Sequence, residues 1–141
     1  MVTVIARVVV SVVAALGLLH VYWALGGRTG KSAAVPEING QRAFVPSRTQ
    51  TLAVAAALLF AATVVAIAGG IFRAGEFDGI FRILAFGLSV TFFARAVGDF
   101  HLVGFFKRIR GTRFSRLDTL AFAPMCLVLG LAVFYIAYND V

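Results

Sequence analysis

The chain has 141 residues, of which 61% are hydrophobic and 13% are charged, and its formal net charge is +7 at pH 7. Soluble domains contain roughly 45–50% apolar residues, so this composition excludes an ordinary soluble protein. The basic residues lie between long apolar segments, which favours membrane topology and contact with anionic lipid headgroups over nucleic-acid binding.

Four segments are long and apolar enough to span a bilayer, since a spanning helix needs about 20 mostly apolar residues. They cover residues 4–25, 51–72, 80–103 and 117–138. We interpret the first as a retained span rather than a signal peptide, because its apolar run is long and has no small-residue cleavage site. The sequence therefore predicts one all-α membrane domain over residues 1–141, an up-down bundle of four transmembrane helices.

Basic residues are distributed unevenly between the two faces of this predicted bundle. Nine lie in the connections between spans one and two and between spans three and four, against three at the opposite face. The nine are Arg28, Lys31, Arg42, Arg48, Lys107, Arg108, Arg110, Arg113 and Arg116. Because Lys and Arg collect in cytoplasmic loops, we expect both long connections in the cytoplasm and both termini outside.

Two pairs of short phrases repeat along the chain. The sequence "ALGLLH" at residues 15–20 is similar to "AVGDFH" at residues 96–101, and "SRTQTLAVA" at 47–55 is similar to "SRLDTLAFA" at 115–123. Each pair falls at the same place in its hairpin, where one helix ends or the next begins. The pattern predicts two repeated helix hairpins related by an axis along the membrane normal.

Several other residues are interpreted as structural. Ser47 with Gln50, and Ser115 with Asp118, have the spacing of a capping box, so we interpret Asp118 as a helix cap rather than a site residue. Pro124 is expected to kink the fourth helix. A ridge of small residues on the second helix is expected to allow close approach of a partner helix; it consists of Ala53, Ala57 and Ala61. A single cysteine, Cys126, excludes an internal disulfide.

The third span contains the main candidate site. Thr91, Arg95 and Asp99 follow one another at i, i+4 spacing and would form one polar stripe on a helix. An ionised side chain at bilayer depth costs roughly 2.5–3.5 kcal/mol and usually marks a site. Two interpretations stay open. Either Arg95 and Asp99 form a structural ion pair, or Arg95 holds an anionic or polar headgroup in a pocket while Asp99 orients it or accepts a proton.

The first span contributes His20, at a depth similar to that of Asp99, and Trp23, which lies one turn further on the same face. An intramembrane histidine is a candidate for ligand binding or proton transfer. Because His101 occupies the matching place in the second repeat, His20 and His101 are alternative ligands for a b-type haem. No other metal site is predicted.

Three groups of residues resemble the DUF3995 family of small bacterial membrane proteins. They are "LHVYWALGG" at residues 19–27, "RAVGDF" and "VGFFKR" within 95–108, and "DT" followed by Pro124 and Cys126. The resemblance implies a four-span protein of the bacterial inner membrane with no established activity. The family pattern includes positions matching His20, Trp23, Arg95, Gly98 and Asp99 and does not clearly include His101.

These observations predict a polar, cytoplasm-facing intramembrane pocket that binds a small amphiphile or lipid-like ligand. The expected ligand-binding residues are His20, Trp23, Thr91, Arg95 and Asp99. No catalytic motif identifies an enzyme. The alternatives are a b-type haem or electron-transfer module and a structural accessory subunit of a membrane complex. The expected partners are membrane lipids, a further copy of the chain or a partner membrane subunit, and no nucleic acid.

Overall fold

The computed structural model describes residues 1–139. Within that range four helices are long and apolar enough to cross a membrane, which confirms the predicted all-α bundle. The elements are α1 (Val2–Ala24), α2 (Arg48–Ala68), α3 (Asp78–Val97), the short α4 (Arg113–Leu117), a π-helical turn (Asp118–Phe122) and α5 (Ala123–Tyr138). The last three run on as one span, Arg113–Tyr138.

The long helices match the bilayer in length and composition. At 1.5 Å per residue, about 20 residues extend roughly 30 Å, the thickness of the hydrocarbon core. Every backbone N–H and C=O group in lipid must be satisfied within the chain, and an α-helix does this locally. Short elements fill the connections: 3₁₀ turns at Lys31–Ala33 and Gly75–Phe77, and an antiparallel hairpin of β1 (Glu37–Ile38) and β2 (Gln41–Arg42).

The bundle is built mainly from two helix pairs, α1 with α2 and α3 with α5, and α2–α3 and α1–α5 contacts close the ring. Small residues allow the paired backbones to approach closely. Gly17 of α1 faces Leu59 of α2, and Gly130 of α5 faces the ring of Phe93. The hydroxyl of Ser89 donates to the Gly130 carbonyl at 3.0 Å. These contacts fix the two pairs in register.

Both long connections lie at the same end of the bundle, which we name the basic end. There α4 packs against the first connection, at its 3₁₀ turn and at β1. At the opposite end Arg73 pairs with Asp78 at 3.5 Å, and the Arg82 side chain donates to the carbonyl of Ala137 at 2.7 Å. The start of the fourth span therefore packs against the first connection at the basic end.

Several predicted local features are resolved by the structure. The capping box at Ser47 and Gln50 is present, which confirms that prediction. The second one is wrong: Thr112 is the N-cap residue of α4 and accepts the N–H of Ser115, which itself lies inside the helix. The third span was expected to reach residue 103, but α3 ends at Val97. The internal duplication stays a prediction.

Candidate functional site

Helix α3 ends at Val97 because the chain turns at Gly98 and then passes close to its own backbone at Gly104. Gly98 has φ 92° and ψ −172°, a region that is essentially open only to glycine. A Cβ at Gly98 would overlap the carbonyl group of Val103, and a Cβ at Gly104 would overlap the carbonyl oxygen of Val97. The chain therefore folds back on the end of α3, and both crossing positions require glycine.

Asp99 holds this turn together from the outside. Its Oδ1 atom accepts the backbone N–H groups of His101, Leu102 and Val103 at 2.9, 2.7 and 3.0 Å. The bond from Val103 is the main reason why the pKa of Asp99 lies below its ordinary value, and the bonds from His101 and Leu102 act in the same direction. Asp99 is exposed and stabilises a loop, a local arrangement that competes with continuation of a helix.

The predicted polar stripe is therefore wrong as a geometric feature. Asp99 lies beyond the last residue of α3, and the salt bridge of Arg95 is made with Asp118 instead, at 2.8 Å between Nη2 and Oδ1. Thr91 is on the exposed surface of α3, where its hydroxyl donates to the Gly87 carbonyl at 2.9 Å. An i, i+4 relationship requires an unbroken helix, and Gly98 interrupts it.

Asp118 is the centre of a buried ionic cluster. Its side chain has no exposed surface, and neither has that of Lys107, whose Nζ lies 3.1 Å from Oδ2. The N–H of Gly104 donates to the same oxygen at 2.7 Å. Lys107 also donates to the Gly104 carbonyl at 2.9 Å and to the Thr119 hydroxyl at 2.6 Å. The interpretation of Asp118 as a helix cap is thus wrong.

This ionic cluster has the properties of a structural element that holds separate segments of the chain together. All three ammonium hydrogens of Lys107 have an acceptor, as a buried charge requires. The cluster links the end of α3, the returning loop and the start of the fourth span. Among the described residues, Nη1 of Arg95 is buried and has no hydrogen-bond partner. The cluster holds two cations and one carboxylate, so it retains one positive charge.

Sequence reasoning missed Lys107 and misjudged Asp118 for identifiable reasons. Lys107 was counted with the loop charges, since nothing in its spacing signals burial. Asp118 opens a π-helical turn that precedes Pro124. A proline lacks the N–H that would bond to the carbonyl four residues earlier, and wider π turns are frequent where the regular pattern is interrupted. That proline was the available signal for an irregular segment.

A cleft of about 250 Å³ opens at the basic end, between the end of α1, the first connection and the start of α2. We refer to it as the α1–α2 cleft. Its lining residues are His20, Trp23, Lys31, Ala34, Val35, Phe44, Pro46, Gln50, Thr51 and Val54. The walls are mainly apolar and include a few polar residues, which is the usual composition of a small-molecule site.

His20 and Trp23 are held firmly in this cleft. Nδ1 of His20 lies 2.8 Å from the carbonyl oxygen of Leu16. A carbonyl only accepts, so Nδ1 carries the hydrogen and Nε2 is left for another partner. The rings of His20 and Trp23 meet edge to face with centroids 4.9 Å apart. The indole N–H of Trp23 donates to the Thr29 carbonyl at 2.7 Å.

The structure thus divides the predicted site residues into separate groups. His20 and Trp23 are in contact, as their spacing on one helix face predicted, and both line the α1–α2 cleft. Arg95 belongs to the ionic cluster, Asp99 to the loop that follows α3, and Thr91 to the outer surface of α3. The alternative haem ligand His101 is exposed in that same loop and does not line the cleft.

Metal-binding geometry gives no further candidate. Across residues 1–139 no group of three or more His, Cys, Asp or Glu side chains is close enough to hold an ion. Cys126 is a free, buried thiol on α5.

Comparison with known proteins gives a family and no more. No curated protein and no solved structure matches the chain. One family model matches residues 13–133, from within α1 to near the end of α5. That match covers most of the chain, and the chain therefore belongs to the family described as protein of unknown function (DUF3995).

Proposed function

We propose that this membrane protein binds a small amphiphile or lipid-like ligand in the α1–α2 cleft, with His20 and Trp23 as contact residues. The supporting observation is that a cleft of about 250 Å³ at one end of the bundle is lined by mainly apolar residues together with a few polar ones. Such a mixture suits a molecule with an apolar and a polar part. The proposed setting is the bacterial inner membrane, with the basic end in the cytoplasm and both termini outside.

The polar groups of the cleft are arranged for hydrogen bonding to a ligand. Nε2 of His20 is available because Nδ1 is already bonded to Leu16. The Oε1 atom of Gln50 accepts the Ser47 N–H at 2.9 Å, which leaves the amide NH₂ group of Gln50 as a donor. Trp23 supplies a rigid aromatic wall, whose orientation is fixed by its bond to the first connection.

This proposal assigns the ionic cluster a supporting role. Lys107 and Asp118 are buried and bonded to one another and to Gly104, so they hold the second connection in place. That connection leads into α4, which packs on the first connection at its 3₁₀ turn. The first connection in turn forms part of the cleft wall. The cluster thus supports the cleft through packing.

Native mass spectrometry of protein kept in amphipol, free of detergent monomers, tests the proposal. We expect a reproducible bound mass in the range of a monoacyl lipid after incubation with membrane extract. Trp23 is the only tryptophan in the chain, so its fluorescence should change with occupancy and place the ligand in the cleft. A protein that stays bare with extract, and whose fluorescence stays constant, contradicts the proposal.

Two matched substitutions locate the ligand. Ala34→Phe introduces a phenyl ring at a position that lines the cleft. The ring should fill the cleft and abolish the bound mass. Ala57→Phe makes the same change on the exposed surface of α2 and should leave the bound mass in place. Equal loss in both variants, or in neither, argues against the cleft as the site.

An accessory-subunit role is a second candidate, supported by the small-residue ridge on α2. Ala53 and Ala57 face out of the bundle and Ala61 faces inward, so part of the ridge is available to a helix of another chain. Co-purification in mild detergent tests this role. A partner that is retained by the wild type and lost from Ala57→Leu favours it.

A further inference from the structure

We infer that the ligand of the α1–α2 cleft has an anionic headgroup, a phosphate or a carboxylate, held by Lys31 together with His20 and Gln50. The inference rests on the proposed function and names the chemical class of its ligand. It follows from three observations: the charge of the residues that line the cleft, the hydrogen bonds that their polar groups already make, and the positions of the closed inner end and the exposed edge of the cleft.

The lining carries charge of one sign. Lys31 is the one Lys or Arg among the ten residues that line the cleft, and none of the ten is Asp or Glu. Lys31 is partly buried, and within residues 1–139 its ammonium group takes part in no salt bridge. A partly buried cation without a carboxylate is an unbalanced charge, and an anion within hydrogen-bond distance stabilises it. The cleft therefore selects against cationic and for anionic headgroups.

The neighbouring polar groups complete a donor set for oxygen atoms. The Gln50 side chain retains its NH₂ group as a donor, because its oxygen is bonded to Ser47. Nε2 of His20 accepts a hydrogen bond from a headgroup hydroxyl when the ring is neutral and donates one when it is protonated. Of the groups that line the cleft, His20 and Lys31 are the titratable ones.

The shape of the cleft separates headgroup from tail. One turn deeper than His20, Gly17 packs closely against Leu58 and Leu59, which closes the space between α1 and α2. Val54 and Phe44, by contrast, are 45% and 52% exposed at the edge of the cleft. A cleft of about 250 Å³ with a closed floor has room for a headgroup. The apolar tail must leave past Val54 into the surrounding lipid.

Two monoacyl lipids of equal chain length, lysophosphatidic acid and monoacylglycerol, form a matched pair of probes for this inference. They differ in the phosphate alone. Binding to the amphipol-held protein is measured by native mass spectrometry and by Trp23 fluorescence. We expect at least tenfold tighter binding of the phosphate lipid. Lys31→Gln should abolish that preference, whereas Lys31→Arg, which keeps the positive charge, should retain it. Arg28→Gln, which removes an exposed cation of the same connection outside the cleft lining, should leave the preference unchanged.

The outcomes separate this inference from the proposed function. Equal binding of the two lipids in the cleft overturns the anionic headgroup and leaves amphiphile binding standing. Binding of neither lipid overturns both. Inorganic phosphate serves as a third probe: if it binds as tightly as lysophosphatidic acid and displaces it, the site takes a free anion, and the amphiphile proposal fails. A preference that persists in Lys31→Gln overturns the assignment of Lys31.

Discussion

Lys107 and Asp118 form an ion pair without any exposed side-chain surface, with Nζ and Oδ2 3.1 Å apart. One residue belongs to the loop that follows α3 and the other to the π-helical turn that opens the fourth span. Removing one partner of a buried pair leaves an unbalanced charge, whereas the intact pair contributes little net stability over an apolar replacement. The pair therefore fixes where the loop lies more than it strengthens the fold.

Asp118→Asn should be strongly destabilising. It leaves Lys107 and Arg95 buried or partly buried without their carboxylate, and the cost of such a loss is about 3–5 kcal/mol. SDS-induced unfolding in mixed micelles, followed by Trp23 fluorescence, measures the free energy of unfolding. As a control, Arg108→Gln removes an exposed cation next to Lys107. It should change the free energy of unfolding by less than about 0.5 kcal/mol. Equal stability of Asp118→Asn and the wild type would contradict the structural role of the pair.

The glycine crossing at the end of α3 predicts a graded set of alanine substitutions. Gly111 has a positive φ with no atom within 4 Å of an added Cβ, so Gly111→Ala should show backbone strain alone, about 1–2 kcal/mol. Gly98→Ala and Gly104→Ala add a clash with the carbonyl groups of Val103 and Val97, respectively, and should lose more. The measurement is the same unfolding titration. If all three variants lose the same stability, the two backbones do not cross as described.

Asp99 predicts a pH-dependent loop. Its carboxylate accepts the N–H of Val103 and of two neighbours, and these bonds lower its pKa in the folded state. A lowered folded-state pKa contributes stability above the unfolded value of about 3.9, and this contribution disappears as the pH falls through the lower folded value. The amide NMR signals of His101, Leu102 and Val103 should therefore shift together in acid below about pH 4. In Asp99→Asn the shifts should no longer titrate; titration that persists there would assign the effect to another group.

Trp23→Phe should loosen the first connection. It removes the indole N–H that donates to the Thr29 carbonyl at 2.7 Å, a bond that contributes about 1 kcal/mol. We expect faster tryptic cleavage after Arg28, read by mass spectrometry. Tyr22→Phe is the matched control, because it removes a longer and exposed bond to the hydroxyl of Thr29, 3.3 Å. If cleavage is equally fast in both variants, the Trp23 bond does not hold the connection.

The proposed orientation predicts a labelling pattern in intact cells. Ser32 lies in the first connection at the basic end and Glu76 in the short connection at the opposite end, and both are exposed. The native Cys126 is buried and should react little. A membrane-impermeant maleimide should label Glu76→Cys in intact cells and Ser32→Cys after permeabilisation, because the Lys- and Arg-rich connections stay in the cytoplasm. The reverse pattern would place the termini inside.

The four-helix architecture follows from composition and local pattern alone. Apolar runs of about 20 residues specify spanning helices, because a backbone in lipid must satisfy its own hydrogen bonds within each helix. The capping box at Ser47 and Gln50 is equally local, since its two bonds join residues three apart. The contact of His20 with Trp23 also follows from helical spacing. Each of these depends on interactions within one or two turns of chain.

The partners of Arg95 and the composition of the cleft depend on chain segments that are distant in sequence. Arg95 bonds to a carboxylate 23 residues away, and a turn at Gly98 removes Asp99 from the helical stripe on which it was placed. Lys31, Phe44 and Gln50 line the same cleft as His20 because the first connection folds back over the end of α1 and because α2 packs against α1. Helical periodicity predicts which residues are neighbours only while the helix continues. Where a glycine ends the helix and a loop folds back, packing and the burial of charged groups determine which residues become neighbours. Only the tertiary structure contains that information.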